Sequence, residues 1–246
     1  MSCSSMPSIS KQVASCFSID NYNATKKKWS SNTGGYAGTV VSGSVTVRTD
    51  AAGSHGNRAA VAYLAGGAST KYTFGNVLPN PYTLCSATRY TGKTRRRILN
   101  GGSGNWLHGH WGGRAGVAHY GGWSNGGSSR VSPVTDWVYM CDHNGDSSHK
   151  NLFVNGKSYS RNGNGRFHPS SIKINHGPHA DRGETSDWGV AMLITFKGVL
   201  SDADMLAVYK FMTTGTPKIM HRARRFDSCA SKDRLFVETV NASFVC

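Results

Sequence analysis

The stretch GNWLHGHWGGRAGVAHYGGW, residues 104–123, gathers three Trp, three His, one Tyr and seven Gly into twenty residues. Such a run suggests two chemistries. His108 and His110 lie two apart, so on a strand they share a face. His119, from the next strand, would complete a three-imidazole metal site. No carboxylate stands nearby in sequence to orient those rings, as ligating histidines generally require. Histidines hydrogen-bonded in the core or in turns are the plainer reading, and no metal or cofactor is expected.

The second chemistry is sugar stacking. Trp111, Tyr120 and Trp123 sit among glycines, which let a ligand approach the backbone. They are the candidate glycan contacts. The competing reading is core packing, because Trp and Tyr carry large buried areas.

A third set of groups is Asp142-His143-Asn144-Gly145-Asp146. Asp142, Asn144 and Asp146 have the spacing of the first oxygen ligands of a calcium loop. The rest of that loop is missing, since Ser147 and Phe153 occupy its sixth and twelfth positions. A connection between strands is preferred to a calcium site.

Catalytic patterns are absent. Glycoside hydrolysis needs paired carboxylates, and the chain has two Glu, Glu184 and Glu238, far apart in sequence. There is no G-x-S-x-G and no G-x-x-x-x-G-K-[ST]. No signature of a nucleic-acid-binding fold appears. No catalytic residue is expected, and the chain reads as a non-enzyme.

The elements that must position these residues are short strands. GSVTVRT (43–49), YTLCSATRY (82–90) and SSIKIN (170–175) alternate. WGVAMLITF (188–196) is apolar on both faces and reads as a central strand covered on both sides. In NLFVNGKSYS (151–160), Asn155-Gly156 predicts a two-residue hairpin, because both residues tolerate positive φ. One helix is predicted at about 201–213. Ser201 and Asp204 would cap it, and Met205, Val208, Tyr209 and Met212 would form one apolar face. Residues 1–35 read as a polar N-terminal arm, 36–216 as one domain, and 217–246 as a C-terminal extension. The expected fold is an all-β, two-sheet antiparallel jelly roll.

Composition agrees. The 246 residues include 30 Gly, and only 17% are charged, a balance that favours strands and turns. The formal charge of +15 suits polyanionic partners. Its clusters, Lys26–Lys28, Arg95–Arg97 and Arg222/Arg224/Arg225, read as solvated faces. No stretch is long and apolar enough for a membrane span. The N-terminus does not read as a secretory signal. Mostly reduced thiols with one or two bridges are therefore expected of the six Cys.

The order of several motifs resembles the concanavalin A-like lectin/glucanase superfamily, and most closely laminin-G-like modules of marine algae and their large viruses. The motifs are YTLCSATRY, residues 97–123, TDWVYMCDHNG, NLFVNG, IKINHG and SDWGVAMLITFKGVLSDADM, within about 36–213. The resemblance implies a jelly roll with a helix closing one end. It fixes no activity, since members are lectins, adhesion modules and glucanases. The leading expectation is a structural protein docking in a larger assembly through its extensions, such as a minor capsid or cement protein of a virion. The alternative is an extracellular lectin-like module using Trp111, Tyr120 and Trp123. A glycan-degrading enzyme comes third.

Overall fold

The computed structural model describes residues 12–145, 151–162 and 166–214. Its first strands are β1 (Val13–Ser18), β2 (Tyr22–Asn23), β3 (Lys28–Ser30) and β4 (Ala37–Ser42). Then come β5 (Val45–Asp50), β6 (Val61–Gly66), β7 (Lys71–Gly75) and β8 (Tyr82–Tyr90). The middle of the chain supplies β9 (Leu99–Gly101), β10 (Trp106–Trp111), β11 (Arg114–Tyr120) and β12 (Val138–His143). The last strands are β13 (Asn151–Val154), β14 (Lys157–Ser160), β15 (Ile172–Ile174) and β16 (Trp188–Lys197), followed by helix α1 (Asp202–Thr214).

They form two antiparallel sheets. The first runs β14-β13-β12-β8-β16-β6-β5, and β1 also pairs with β16. The second runs β11-β10-β9-β15-β7-β4-β3-β2. Side chains alternate across each strand, so every strand has one face toward the other sheet. Trp29, Tyr72, Phe74, Leu84, Trp106, Trp188 and Leu193 meet in the core between the sheets.

The first sheet is covered on its other face as well. Met205, Val208 and Met212 of α1 are buried against Cys85, Tyr139, Ile194 and Phe196. Burying each is worth roughly 1.5–3 kcal/mol. Tyr209, expected on the same apolar stripe, meets Tyr139 edge to face at 6.1 Å. The double covering explains the unbroken apolar run of β16. The cap also forms: Ser201 Oγ accepts the Asp204 backbone N–H at 3.2 Å and donates to the Asp204 carboxylate at 2.7 Å. Asn155 (φ 48) and Gly156 (φ 79) make the two-residue turn between β13 and β14.

The N-terminal boundary differs from expectation. Residues 13–30, read as part of an arm, supply three strands. β1 lies along the second half of β16, with Cys16 opposite Ile194 and Phe17 opposite Leu193. Phe17 and Trp29 are buried in the core. Polar residues at the sequence level hid a strand whose few apolar members serve both covered faces of the sheet, Phe17 between the sheets and Cys16 in the cluster with α1. Residues 1–11 and the extension at 217–246 lie outside the described residues.

The cysteines form the expected bridges, although at least three of the six are bonded rather than mostly reduced. Cys85 and Cys141 face each other across β8 and β12 and form a disulfide. Cys16 is disulfide-bonded as well.

Candidate functional site

The β10–β11 hairpin sorts the aromatic run onto two faces. Its register sets Trp106 opposite Tyr120, Leu107 opposite His119 and His108 opposite Ala118. Residues directly opposite in an antiparallel pair share a face. Trp106, His108 and Tyr120 therefore point into the core. The Trp106 and Tyr120 rings stack at 5.1 Å and 9°. Trp106 Nε1 donates to the Tyr82 hydroxyl at 2.8 Å, and His108 Nδ1 lies 2.6 Å from the Tyr120 hydroxyl. Tyr120, expected among the glycan contacts, is thus fully buried and is removed from that set.

Leu107, Trp111 and His119 belong to the opposite, outward face of the second sheet. The Gly112–Gly113 turn, with φ of 57° and 76°, folds the hairpin tightly enough to place Arg114 opposite Trp111. The Arg114 guanidinium lies 5.1 Å from the centre of the Trp111 ring. After β11 the chain turns back, and a single bridge pairs Trp123 with His119.

Here the outward residues enclose a shallow cleft of about 220 Å³, lined by Arg97, Asn105, Leu107, Trp111, His119 and Trp123. The Trp111 and Trp123 rings meet edge to face at 5.4 Å. His119 meets Trp123 in the same way at 5.1 Å and 89°. Three partly exposed rings form a corner with Leu107 at its base. His119 Nδ1 lies 3.0 Å from the Asn105 carbonyl. A carbonyl only accepts, so Nδ1 carries a proton, which leaves Nε2 as the ring nitrogen open toward the cleft.

A polar frame fixes the corner. Glu184, in the segment between β15 and β16, accepts from Arg97 Nε and, at 3.1 Å, from Trp111 Nε1. Arg97 also donates to the Asn105 side chain at 2.8 Å and to the Trp106 carbonyl at 3.4 Å. Partial burial pushes the Glu184 carboxyl up, but the hydrogen bond and charge of Arg97, with Trp111, outweigh it and hold it below its ordinary range. His179, on the same segment, is pushed down by burial and by the nearby charge of Arg97.

Trp111 and Trp123, named from the sequence, are brought together by the fold, while the sequence assigned no such place to Arg97 and Glu184. Arg97 was read with Arg95 and Arg96 as a solvated face, yet its side chain is only 4% exposed. Glu184 lies 87 residues from Arg97 in sequence, so no local pattern connects them.

The three histidines do not converge. His108 and His110 are buried between the sheets, while His119 faces outward. Two residues on from His108 along β10, His110 shares its inward face, and its ring packs on Tyr90 at 4.5 Å. Burial pushes both core imidazoles down to about 3, so they are neutral. The calcium pattern is likewise taken up by the fold. Asp142 is buried, ion-paired with Arg161 at 2.7 Å, and accepts the His143 backbone N–H at 2.8 Å. Asn144 accepts from the Tyr82 backbone and donates to Asn80. Asp146 lies outside the described residues. Among the described residues, no group of three His, Cys, Asp or Glu is arranged to hold a metal ion.

No family model matches the sequence, and no curated protein matches it. Solved structures do match. Domain 4 of AbnA, a GH43 extracellular arabinanase from Geobacillus stearothermophilus in complex with arabinotriose, is similar with a TM-score of 0.55. Identity is 14%, over 80% of this chain and 98% of that one. The HCR/D F1240A mutant is similar with a TM-score of 0.55 at 15% identity, over 83% of this chain and 52% of that one. Trypanosoma rangeli sialidase in complex with sialic acid follows at 0.51 and 12%, over 82% of this chain and 33% of that one. This chain thus spans about a third of the sialidase's length. The shared feature is the two-sheet sandwich. The chain has a two-sheet antiparallel β-sandwich fold. Such low identities carry the fold and no more.

Proposed function

We propose that this concanavalin-like sandwich is a non-catalytic glycan-binding module, of laminin-G-like type, that takes a sugar in the Trp111/Trp123 corner. The observation that carries this reading is the pinned indole. Trp111 is held by Glu184 and stands against Trp123, so two partly exposed apolar surfaces are fixed before any ligand arrives. Fixed aromatic walls with a few polar groups are the usual make-up of a small-ligand site. Preorganisation lowers the ordering cost of binding. Asn105 and His119 Nε2 supply polar contacts at the rim.

Two further facts support the reading. One structural neighbour is a domain seen with arabinotriose, and another is an enzyme seen with sialic acid. The Cys85–Cys141 bridge fits an oxidising, extracellular location. Among the described residues, the one acid hydrogen-bonded to cleft side chains is Glu184, already engaged by Arg97 and Trp111. It has no partner carboxylate there for glycosidic cleavage. The expected assembly role leaned on the terminal segments. Part of the first is built into the sandwich, and the second lies outside the described residues. The glycan reading therefore takes precedence.

A glycan array followed by calorimetry on the wild type and Trp123→Ala tests it. Binding that is lost in a folded Trp123→Ala protein is the expected result. A wild type that binds no glycan, or a variant that binds equally well, overturns the reading.

A further inference from the structure

The carboxylates on the segment between β15 and β16 are already engaged by hydrogen bonds or ion pairs. Glu184 is paired with Arg97. Asp181, on the same segment, is paired with Lys71 at 2.9 Å and also meets His176 at 3.3 Å. It further accepts the Gly177 backbone N–H at 3.0 Å. Asp187, at the segment's end, accepts the Ala68 and Thr94 backbone N–H groups at 3.0 and 2.9 Å. The cations are not matched in the same way. Arg114 lies over Trp111 and donates to a backbone carbonyl, that of Gly127, at 3.0 Å. Arg182 is exposed on the same segment as Glu184, close enough for its charge to act on His179. Among the described residues neither Arg114 nor Arg182 meets a carboxylate. Lys173 lies opposite Asn100, which lies opposite Leu107, so Lys173 shares the cleft's face two strands away. That is roughly 10 Å at ordinary strand spacing. Arg114 thus stands at the cleft's rim over Trp111, Arg182 lies two residues from Glu184 of its frame, and Lys173 shares its sheet face.

Resting on the glycan-binding reading above, we infer that the ligand is an acidic oligosaccharide, one carrying carboxylate or sulfate groups. A sugar ring would sit in the Trp111/Trp123 corner, and its anionic substituents would face Arg114 and Arg182. A guanidinium suits both anions, because its planar donors match two oxygens at once. A neutral sugar would leave that rim unused.

The test uses the full chain and matched probes: oligogalacturonate against galacto-oligosaccharide of equal length, and dextran sulfate against dextran. Variants are Arg114→Gln/Arg182→Gln, Trp123→Ala and, as a charge control on the exposed edge strand β5 of the other sheet, Arg48→Gln. At low salt at least one acidic probe should bind roughly tenfold more tightly than its neutral partner, the size expected of two partly exposed ion pairs. Which of the two does so tells carboxylate from sulfate. The preference should shrink toward unity in ~0.5 M salt as the Debye length shortens. It should also vanish in the double Gln variant and persist in Arg48→Gln. Equal binding of acidic and neutral probes, abolished by Trp123→Ala, overturns the acidic ligand and leaves the glycan site standing. An acidic preference reduced as much by Arg48→Gln as by the double variant means diffuse charge, and also overturns it. Binding of no probe, or binding untouched by Trp123→Ala, removes the site itself.

Discussion

The Trp111 indole N–H donates to Glu184, the carboxylate that also receives Arg97. One acid therefore ties a surface ring to a buried cation across two distant parts of the chain. Glu184→Gln keeps an acceptor for Trp111 but leaves the Arg97 charge facing a neutral group. Loss of a fully buried partner is worth several kcal/mol. The Glu184 side chain is 32% exposed, so solvent screens part of this, and a loss of roughly 1–2 kcal/mol is expected. Glycan affinity should fall severalfold as the ring loosens. The wild-type contribution is fully present above about pH 4.3, the ordinary Glu value, and is lost as pH falls through the lower folded value. Urea unfolding and calorimetry at pH 7 check both effects. A variant as stable and as tight-binding as the wild type would remove Glu184 from the frame.

Tyr120→Phe separates the core aromatics from the surface ones. Tyr120 is fully buried, and its hydroxyl meets His108 Nδ1. Removing the hydroxyl leaves a buried ring nitrogen without that partner, which costs about 1–3 kcal/mol. Glycan binding at a temperature where the variant is folded should equal that of the wild type. Weaker binding with unchanged stability would put Tyr120 back among the ligand contacts.

The sandwich itself was legible because its signals are local. Alternation in YTLCSATRY, the Asn155-Gly156 turn and the doubly apolar β16 each report a face or a turn within ten residues. The helix was legible for the same reason. β1 was not, because its short VASCFS run sits in polar surroundings and its pairing with β16 is long-range. The site was half legible. Trp111 and Trp123 stand out by type, but Tyr120 has the same type and neighbours. Only the β10–β11 register, which sets Tyr120 opposite the inward Trp106, decides which rings face out. Arg97 and Glu184 were hidden because the meaning of each depends on the other.

Acid should weaken the fold well above the range of its carboxylates. His108 and His110 are neutral in the core, with folded values of about 3 against about 6.5 for a free imidazole. Between those limits the unfolded chain binds more protons than the folded one. Stability is therefore fully present above pH 6.5 and declines as pH falls toward 3, by up to about 1.4 kcal/mol per pH unit for each His. Asp142 acts in the opposite sense, since burial raises its carboxyl despite Arg161, so protonation relieves it at lower pH. Urea midpoints at pH 7, 6 and 5 should fall steadily, and His110→Gln should roughly halve the slope. A midpoint unchanged between pH 7 and pH 5 would show that the two rings are not buried as described.

The Cys85–Cys141 bridge links neighbouring strands of the first sheet, on the face covered by α1, away from the cleft. It closes a loop of 56 residues that holds both β10 and β11. On the chain-entropy model a loop of that length contributes roughly 4 kcal/mol by restricting the unfolded chain. The Cys85→Ala/Cys141→Ala pair should therefore lower the urea midpoint markedly, and reductant, which also opens the disulfide at Cys16, should lower it at least as far. Binding at low temperature should survive, because the cleft is held by Glu184 and the hairpin register rather than by the bridge. Alkylation with mass spectrometry, before and after reduction, reports the two thiols directly. A chain purified without reductant that shows both thiols free, with a midpoint unchanged in the Cys85→Ala/Cys141→Ala pair, would mean that the bridge is not formed and would withdraw its support for an extracellular location.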